Sequence, residues 1–361
     1  MAPFKDTDAL ETLQTTISNL KTLLHRFQSA LQSPTPTHPP VEDSPNPLAL
    51  LSDASQILKA QTTKLSLLIL NKPFTPSAIT FILNSLSNSC LPAMMSALEL
   101  CPAEKYTKLM HRYVQSSFSR IMMELLSLLA SIPQDEHGIE KTGGRDTLAS
   151  TGVLWAECDK MVALGSGGLT KLAANTVEEH HGLLKDAIAE LEEWDPDEDS
   201  ESDTDSLTSN KGNTSSSRRL NAPLESSLQG LSLSPIAALW KRTLTMLRII
   251  RVLYPALLKR RILTFPNINS STAAEGLPIS LHIRSLDALV EHTKQFTDET
   301  DEIAGALYAG DGEEVEDRLG VLAEISRTCV EELRTGWSES EDEFTAWGGK
   351  WMTRMEEVRR G

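Results

Sequence analysis

A helical pattern that runs into a block of acidic residues constrains this 361-residue chain more than any other feature. From Thr151 to Trp194 the apolar residues recur at the three- and four-residue spacing of an amphipathic α-helix. The overlapping segment Glu192–Asp205 holds nine acidic residues and neither Lys nor Arg. Other helices must cover the apolar face of the first segment, whereas the second cannot be buried. We therefore predict a folded helical body interrupted by a solvated acidic segment, a layout more typical of a protein-binding protein than of an enzyme.

The helical period recurs along most of the chain. Near the N-terminus it places seven apolar residues on one helical face: Leu10, Leu13, Ile17, Leu20, Leu24, Phe27 and Leu31. No segment shows the sustained two-residue alternation, bounded by hairpin turns, that strands require. The sequence thus predicts an all-α protein of about ten helices in two helical-bundle regions, separated by a disordered acidic and Ser-rich insert.

Shifts in composition divide the chain into segments. Six prolines between positions 34 and 47 exclude a helix there, and the acidic and Ser-rich stretch after Trp194 is too polar to form a core. The predicted segments are an N-terminal amphipathic helix (1–33), a Pro-rich linker (34–47), an N-terminal helical bundle (48–194), the disordered insert (195–233) and a C-terminal helical region (234–361).

Charge and cysteine usage exclude several classes of protein. A net charge of −16 argues against direct nucleic-acid binding, which needs excess Lys and Arg. The four cysteines are scattered without a CxxC pair, as in proteins that keep free thiols in a reducing compartment. We see neither a secretory signal nor an apolar run long enough to cross a bilayer, and we expect a soluble, intracellular protein.

Two short motifs invite a chemical interpretation and do not support one. Adjacent His180 and His181 point about 100° apart on a helix, so they cannot share a metal as an i, i+4 pair can. The Gly-rich Gly165–Gly168 lacks the Lys and Ser/Thr of a phosphate-binding loop and is more typical of a turn between two helices. No nucleophile signature occurs either. The sequence therefore predicts no catalytic, cofactor or metal site, and no enzyme.

Several motifs resemble the cyclin-D-interacting protein family. They are VLWAECD from Val153, LKDAIAELEEW from Leu184, and LPAMMSALELCP from Leu91 with the following Tyr106 helix. The resemblance covers about Leu50–Trp194, and the Pro-rich and Ser-rich segments are similar to those of a fungal-type member. It implies an all-helical, two-part protein without known enzymatic activity. It also implies cyclin-like or transcription-regulator partners, with action in nucleus and cytoplasm.

Trp155 and Asp159 share one face of the helix predicted from the pattern that begins at Thr151, and two interpretations are open. Both side chains could line a groove that binds a partner. Alternatively, Trp155, Cys158 and Val162 belong to the core, as periodic apolar stripes usually do, and Asp159 is a surface group. The second alternative is favoured.

A basic segment follows the insert. Between Ser226 and Ala274 there is no Asp or Glu, and the candidate partner-binding cations are Lys241, Arg242, Arg248 and Arg251. These cations could meet an acidic partner or the acidic tract of the same chain. The nearby Lys259–Arg261 is either a short nuclear-import signal or a basic helix end that complements the helix dipole.

The last helix concentrates aromatic residues. Phe344, Trp347 and Trp351 share a face, with Gly348 and Gly349 between them. Docking of this face onto the C-terminal bundle is favoured over partner binding by Trp347 and Trp351, although exposed Trp is a typical hot-spot residue.

The acidic tract contains candidate phosphorylation sites. Ser200 and Ser202 each have an Asp three residues later, the pattern that acidophilic kinases use. Phosphorylation would add about 1.5 to 2 negative charges per site. A purely solubilising linker is an equal alternative.

The sequence as a whole favours a non-enzymatic interaction protein that binds partners through helical grooves, with a role in cell-cycle or transcriptional control resting on the resemblance alone. The alternative is a cytoskeletal or membrane-peripheral helical scaffold, in which the basic helix near Lys241 meets anionic lipid. Oligomeric state is left open.

Overall fold

The computed structural model describes residues 3–32, 45–133, 144–194, 235–266, 279–338 and 340–360. These residues form helices and no strand, so the all-α prediction is confirmed. The predicted disordered insert, with Ser200 and Ser202, and most of the Pro-rich linker lie outside the described residues. The helices are α1 (Pro3–Gln32), α2 (Pro47–Leu70), α3 (Pro76–Ser85), a π-helical turn (Leu86–Cys90), α4 (Leu91–Glu99), α5 (Ala103–Tyr106), α6 (Lys108–Ala130), α7 (Gly144–Glu193), α8 (Pro235–Leu257), a second π-helical turn (Leu258–Ile262), α9 (Ile279–Tyr308), α10 (Gly312–Glu332) and α11 (Glu343–Arg360).

The chain divides into two compact units. Unit 1 comprises residues 1–173 and 278–287, and unit 2 comprises residues 174–277 and 288–361. The division falls within α7, between residues 173 and 174. The sequence instead predicted an N-terminal bundle that continues to Trp194. Helical packing rather than composition therefore sets the limits of the units.

Unit 1 is built around the apolar face of α1. Leu13, Leu20 and Leu24, three of the seven predicted residues, are fully buried, and α1 packs against α3 and α6. Helix α2 packs in turn against α3 and α4. Burial of this apolar face explains why α1 is stable despite its polar outer face, since tertiary packing supplies most of the stability of such helices.

Helices α2 and α7 pack in antiparallel directions through small residues. The Ser66 and Thr151 hydroxyls lie 2.6 Å apart, and Lys59 Nζ lies 2.6 Å from Asp159 Oδ1. Further along, a Cβ added to Gly165 would lie 2.6 Å from Ser52 Cβ. Residues of increasing number on α2 thus lie opposite residues of decreasing number on α7, and the small side chains at the contact let the two helix backbones approach closely.

The segment Gly165–Gly168 contains the predicted break between two helices, which lies at Gly168. The chain stays helical through Gly165, and only Gly168 leaves the helical region, with φ 64° and ψ −167°. A positive φ is accessible to Gly because it has no Cβ. Two helices therefore meet at Gly168 within α7, and Gly165, which is still helical, serves the close packing against α2.

Unit 2 packs α8, α10 and α11 against one another. The indole of Trp351 donates from Nε1 to the Ile249 carbonyl at 3.0 Å, and that of Trp240 donates to the Leu191 carbonyl at 2.6 Å. These bonds attach α11 to α8, and α8 to the end of α7. Each satisfies the polar atom of a large aromatic side chain, as burial of Trp requires.

A buried arginine joins the end of α8 to the start of α11. Arg261 donates to both carboxylate oxygens of Asp342, at 2.7 and 3.1 Å, and to the Leu333 carbonyl at 2.8 Å. Its guanidinium lies 4.3 Å from the ring centre of Phe344. Arg261 therefore cannot belong to an accessible import signal, and that interpretation of Lys259–Arg261 is wrong.

Unit 2 is expected to lose stability as pH falls from 7 toward 5. His180 Nδ1 lies 3.0 Å from Thr293 Oγ1, and His181 stacks on Tyr254 with ring centres 5.0 Å apart. Burial lowers the pKa of both imidazoles below the usual 6.5. At pH values between the folded and unfolded pKa the unfolded chain binds more protons, so protonation favours unfolding.

Urea unfolding at several pH values measures this effect. The double variant His180→Gln/His181→Phe should flatten the pH dependence, whereas His25→Gln, at an exposed position on α1, should leave it unchanged. If the free energy of unfolding of the double variant kept the same dependence on pH, that dependence would have to be assigned to other groups.

Candidate protein-interaction surface

Trp155 lies on the surface of unit 1. Its neighbours on the inner face of α7, Leu154, Cys158 and Met161, are fully buried, whereas 37% of Trp155 is exposed. The reason is geometric, because Trp155 is rotated by about 100° from Leu154 on the helix. The favoured prediction that Trp155 belongs to the core is wrong. Burial of Cys158 is confirmed, and Asp159 is at the surface as that alternative expected.

Further apolar side chains accompany Trp155. Leu148, seven residues earlier on the same face of α7, is 60% exposed, and Gly152 lies between them. On α2, Leu67 is 54% exposed and follows Ser66, the residue that contacts α7. We call this surface the α2–α7 face and define it by Leu67, Leu148, Gly152, Trp155 and Asp159.

An ion pair borders the α2–α7 face. Lys59 Nζ donates to both Asp159 carboxylate oxygens, at 2.6 and 2.8 Å. Both side chains are exposed, and such a pair contributes at most about 1 kcal/mol to stability. Its charges remain available to a partner. An aromatic anchor beside a polar rim is the usual composition of a protein-binding surface.

Sequence reasoning found Trp155 and Asp159 but missed Leu67 and Leu148. A usable signal for Leu148 existed, since it precedes Trp155 by two helical turns on the same face. Leu67 carried no comparable signal, because its place on this face depends on the pairing of α2 with α7, which are far apart in the sequence.

The basic residues of α8 divide into two groups. Arg242 binds Glu316 at 2.7 Å and also donates to the Arg359 carbonyl, and Arg248 binds Glu192 at 2.8 Å. Lys241 and Arg251 are exposed. The structure therefore does not gather the four cations into one free basic surface.

One of these pairs bears on the hypothesis that the acidic tract screens the basic helix. Glu192, the partner of Arg248, is the first residue of that tract. From Asp195 onward the tract lies outside the described residues, so its contact with α8 stays a hypothesis.

The aromatic face of α11 docks inside unit 2. Phe344 and Trp351 are buried, and Trp347 lies between them with ring centres 5.6 and 6.5 Å away. Gly348 is also buried, where an added Cβ would come within 2.9 Å of Val330 Cγ1. Packing of this face onto the C-terminal bundle is confirmed. A partner-binding role for Trp347 and Trp351 stays a prediction that this burial disfavours.

The cysteine thiols are buried and poorly suited to nucleophilic chemistry. Burial raises the pKa of the Cys101 and Cys158 thiols to about 12, which keeps both protonated near neutral pH.

Within the described ranges, no group of three His, Cys, Asp or Glu side chains is placed to hold a metal ion. Nor does any helix in those ranges combine the length and apolar character needed to cross a membrane.

Comparison with known proteins finds a family model that matches part of this chain. Residues 50–197 match the family model described as Grap2 and cyclin-D-interacting, N-terminal. This segment of the chain is similar to the N-terminal part of the Grap2 and cyclin-D-interacting family. This confirms the resemblance inferred from Leu50–Trp194, and the matched segment contains every residue of the α2–α7 face.

A fungal relative extends the similarity over most of the chain. An uncharacterized protein of Schizosaccharomyces pombe is 25% identical over 347 residues, which is 95% of this chain and 94% of the relative. That breadth agrees with the expectation of a fungal-type member. No solved structure matches the chain. The match to the Grap2 and cyclin-D-interacting family model indicates a protein-interaction role.

Proposed function

We propose that this protein, which matches the Grap2 and cyclin-D-interacting family model over residues 50–197, is a non-enzymatic adaptor that binds a helical segment of a regulatory protein on the α2–α7 face. The exposure of Trp155 on that face carries the proposal. A helix normally turns its large apolar residues inward, yet α7 presents Trp155 and Leu148 to solvent. Trp is enriched among the residues that dominate binding energy.

The shape of the surface favours a helical segment as ligand. Leu148 and Trp155 lie along one helix, and Leu67 flanks them from its antiparallel neighbour. Exposed apolar residues on two adjacent helices suit the apolar face of an amphipathic helix. The Lys59–Asp159 pair at one end could bind a polar or charged residue at the edge of that helix and fix its direction.

The expected partners are cyclin-like proteins or transcription regulators, with action in cell-cycle or transcriptional control in the nucleus and cytoplasm. The support is the description of the matched family, which names cyclin-D interaction. A scaffold that binds anionic lipid through α8 has less support, because Arg242 and Arg248 are engaged in ion pairs within unit 2.

Replacing Trp155 with Ala should weaken partner binding by about 2 kcal/mol, or roughly 30-fold in Kd, because a hot-spot aromatic is lost. Ile57→Ala provides the matched control. Ile57 is 48% exposed on α2 but, two residues before Lys59, it points away from α7. The measurement is quantitative affinity purification of the tagged chain from its own cells, followed by titration of the recovered partner with each purified variant.

Recovery of cyclins or transcription regulators that Trp155→Ala loses and Ile57→Ala keeps would support both the surface and the role. Equal recovery by both variants would rule out the α2–α7 face. Recovery of membrane or cytoskeletal proteins, together with co-sedimentation of the chain with anionic liposomes, would instead favour the scaffold.

A further inference from the structure

Two serines are exposed in the loop between α10 and α11, which we call the α10–α11 loop (Leu333–Asp342). Ser338 and Ser340 both face solvent, and their hydroxyl oxygens lie 2.9 Å apart. A backbone hydrogen bond from Gly336 N to the Ser340 carbonyl, 3.1 Å long, shapes the loop. Both hydroxyls lie far from the α2–α7 face in sequence and belong to unit 2.

The residues after Ser340 form an acidic recognition sequence. Glu341, Asp342 and Glu343 follow it directly, so that a carboxylate stands three positions later, as acidophilic kinases require. Glu341 and Glu343 are both strongly exposed, which leaves their charges accessible to a basic kinase groove. Ser338 has Glu341 at the same spacing, but only Ser340 is followed by an unbroken run of three acidic residues.

Cations lie beside the same loop. Arg334 and Lys350 line an open cleft of about 470 Å³ together with Glu341 and Asp342, the two residues that follow Ser340. Arg334 is largely exposed, and its 3.3 Å contact with Glu341 is long for an ion pair. A phosphate carries more charge and more acceptor oxygens than a carboxylate, so it competes well for a guanidinium. The adjacent N-terminus of α11 also favours a negative charge.

We propose that Ser340 is a phosphorylation site for an acidophilic protein kinase and that Arg334 and Lys350 bind the resulting phosphate. In the modifying step the Ser340 hydroxyl oxygen attacks the terminal phosphorus of a nucleoside triphosphate. The new O–P bond forms as the bond to the nucleoside diphosphate breaks, and the hydroxyl proton passes to a base of the kinase. The phosphate then holds the α10–α11 loop against the first turns of α11.

The first test is modification of the purified full-length chain by a recombinant acidophilic Ser/Thr kinase with ATP, followed by mapping of phosphorylated residues by mass spectrometry. An acidic peptide substrate verifies that the kinase is active. We expect phosphate on Ser340, retained in Ser338→Ala and largely lost in Glu343→Gln. An unmodified Ser340 while the peptide is phosphorylated would overturn the proposal, as would equal modification in Glu343→Gln.

The second test separates phosphate binding from phosphorylation. Hydrogen exchange of the amides at the start of α11 should slow on phosphorylation of the wild-type chain, and this slowing should vanish in Arg334→Gln/Lys350→Gln. Exchange that does not respond to phosphorylation, or that slows equally in the double variant, would overturn the assignment of Arg334 and Lys350.

Discussion

Replacing Arg261 with Ala is expected to lower the free energy of unfolding of unit 2 by about 3–5 kcal/mol, the cost of removing a large buried side chain together with its hydrogen bonds. Arg261 is only 1% exposed, and its guanidinium is the donor to Asp342 and to the Leu333 carbonyl. The variant loses these bonds, leaves their acceptors without this donor and opens a cavity beside Phe344.

The loss of stability should extend to the start of α11, because Asp342 contacts both Arg261 and the first residues of that helix. Besides binding Arg261, its Oδ1 accepts hydrogen bonds from Phe344 N and Thr345 N, which caps the helix. The bonds from Arg261 are the largest influence that lowers the pKa of the Asp342 carboxyl to about 2. Asp342 is therefore ionised throughout the ordinary pH range, and its charge would lose its main partner in the variant.

The neighbouring arginine supplies the control. Arg260 binds Glu343 at 3.2 Å near the surface, so Arg260→Ala should cost less than about 1 kcal/mol. Urea unfolding followed by tryptophan fluorescence is suitable, because Trp337 Nε1 donates to the Arg261 carbonyl. Similar losses in the two variants would show that the buried network adds nothing beyond a surface ion pair.

Gly165→Ala is expected to destabilise unit 1 by about 1–3 kcal/mol, although Ala normally favours a helix. The added Cβ would lie 2.6 Å from Ser52 Cβ and 2.9 Å from the Leu48 carbonyl oxygen. Both distances are too short for van der Waals contact, and neither atom is the end of a flexible side chain. Helices α2 and α7 must therefore move apart.

Gly152→Ala should have the opposite effect and raise the stability of unit 1. Gly152 is exposed on the same helix, and an added Cβ there meets nothing within 4 Å. The gain in helix propensity then stabilises the chain by about 0.4–1 kcal/mol. Thermal unfolding compares the two variants, and faster amide exchange in α2 and α7 of Gly165→Ala alone would locate the damage. Equal and positive shifts in Tm would mean that α2 and α7 do not pack closely at Gly165.

Several features of this protein followed from the sequence by itself. The three- and four-residue spacing of Leu13, Leu20 and Leu24 predicted a buried helical face, since every residue that defines the pattern lies within one helix. The family was recognisable from Val153–Asp159 and Leu184–Trp194, because helical packing motifs are continuous in the chain. The same locality made the docking of Phe344 and Trp351 predictable.

The tertiary structure alone decided which residues meet across the chain. Trp155 is exposed because α7 turns Leu154 and Cys158 inward, a choice of face that depends on α2 and α6. Gly165 serves close packing rather than a turn because Ser52, far away in the sequence, lies opposite it. Arg261 is a buried anchor rather than a surface cation because Asp342 reaches it from the start of α11. Spacing along one helix records which residues share a face, but the partner of that face is fixed only when distant helices pack.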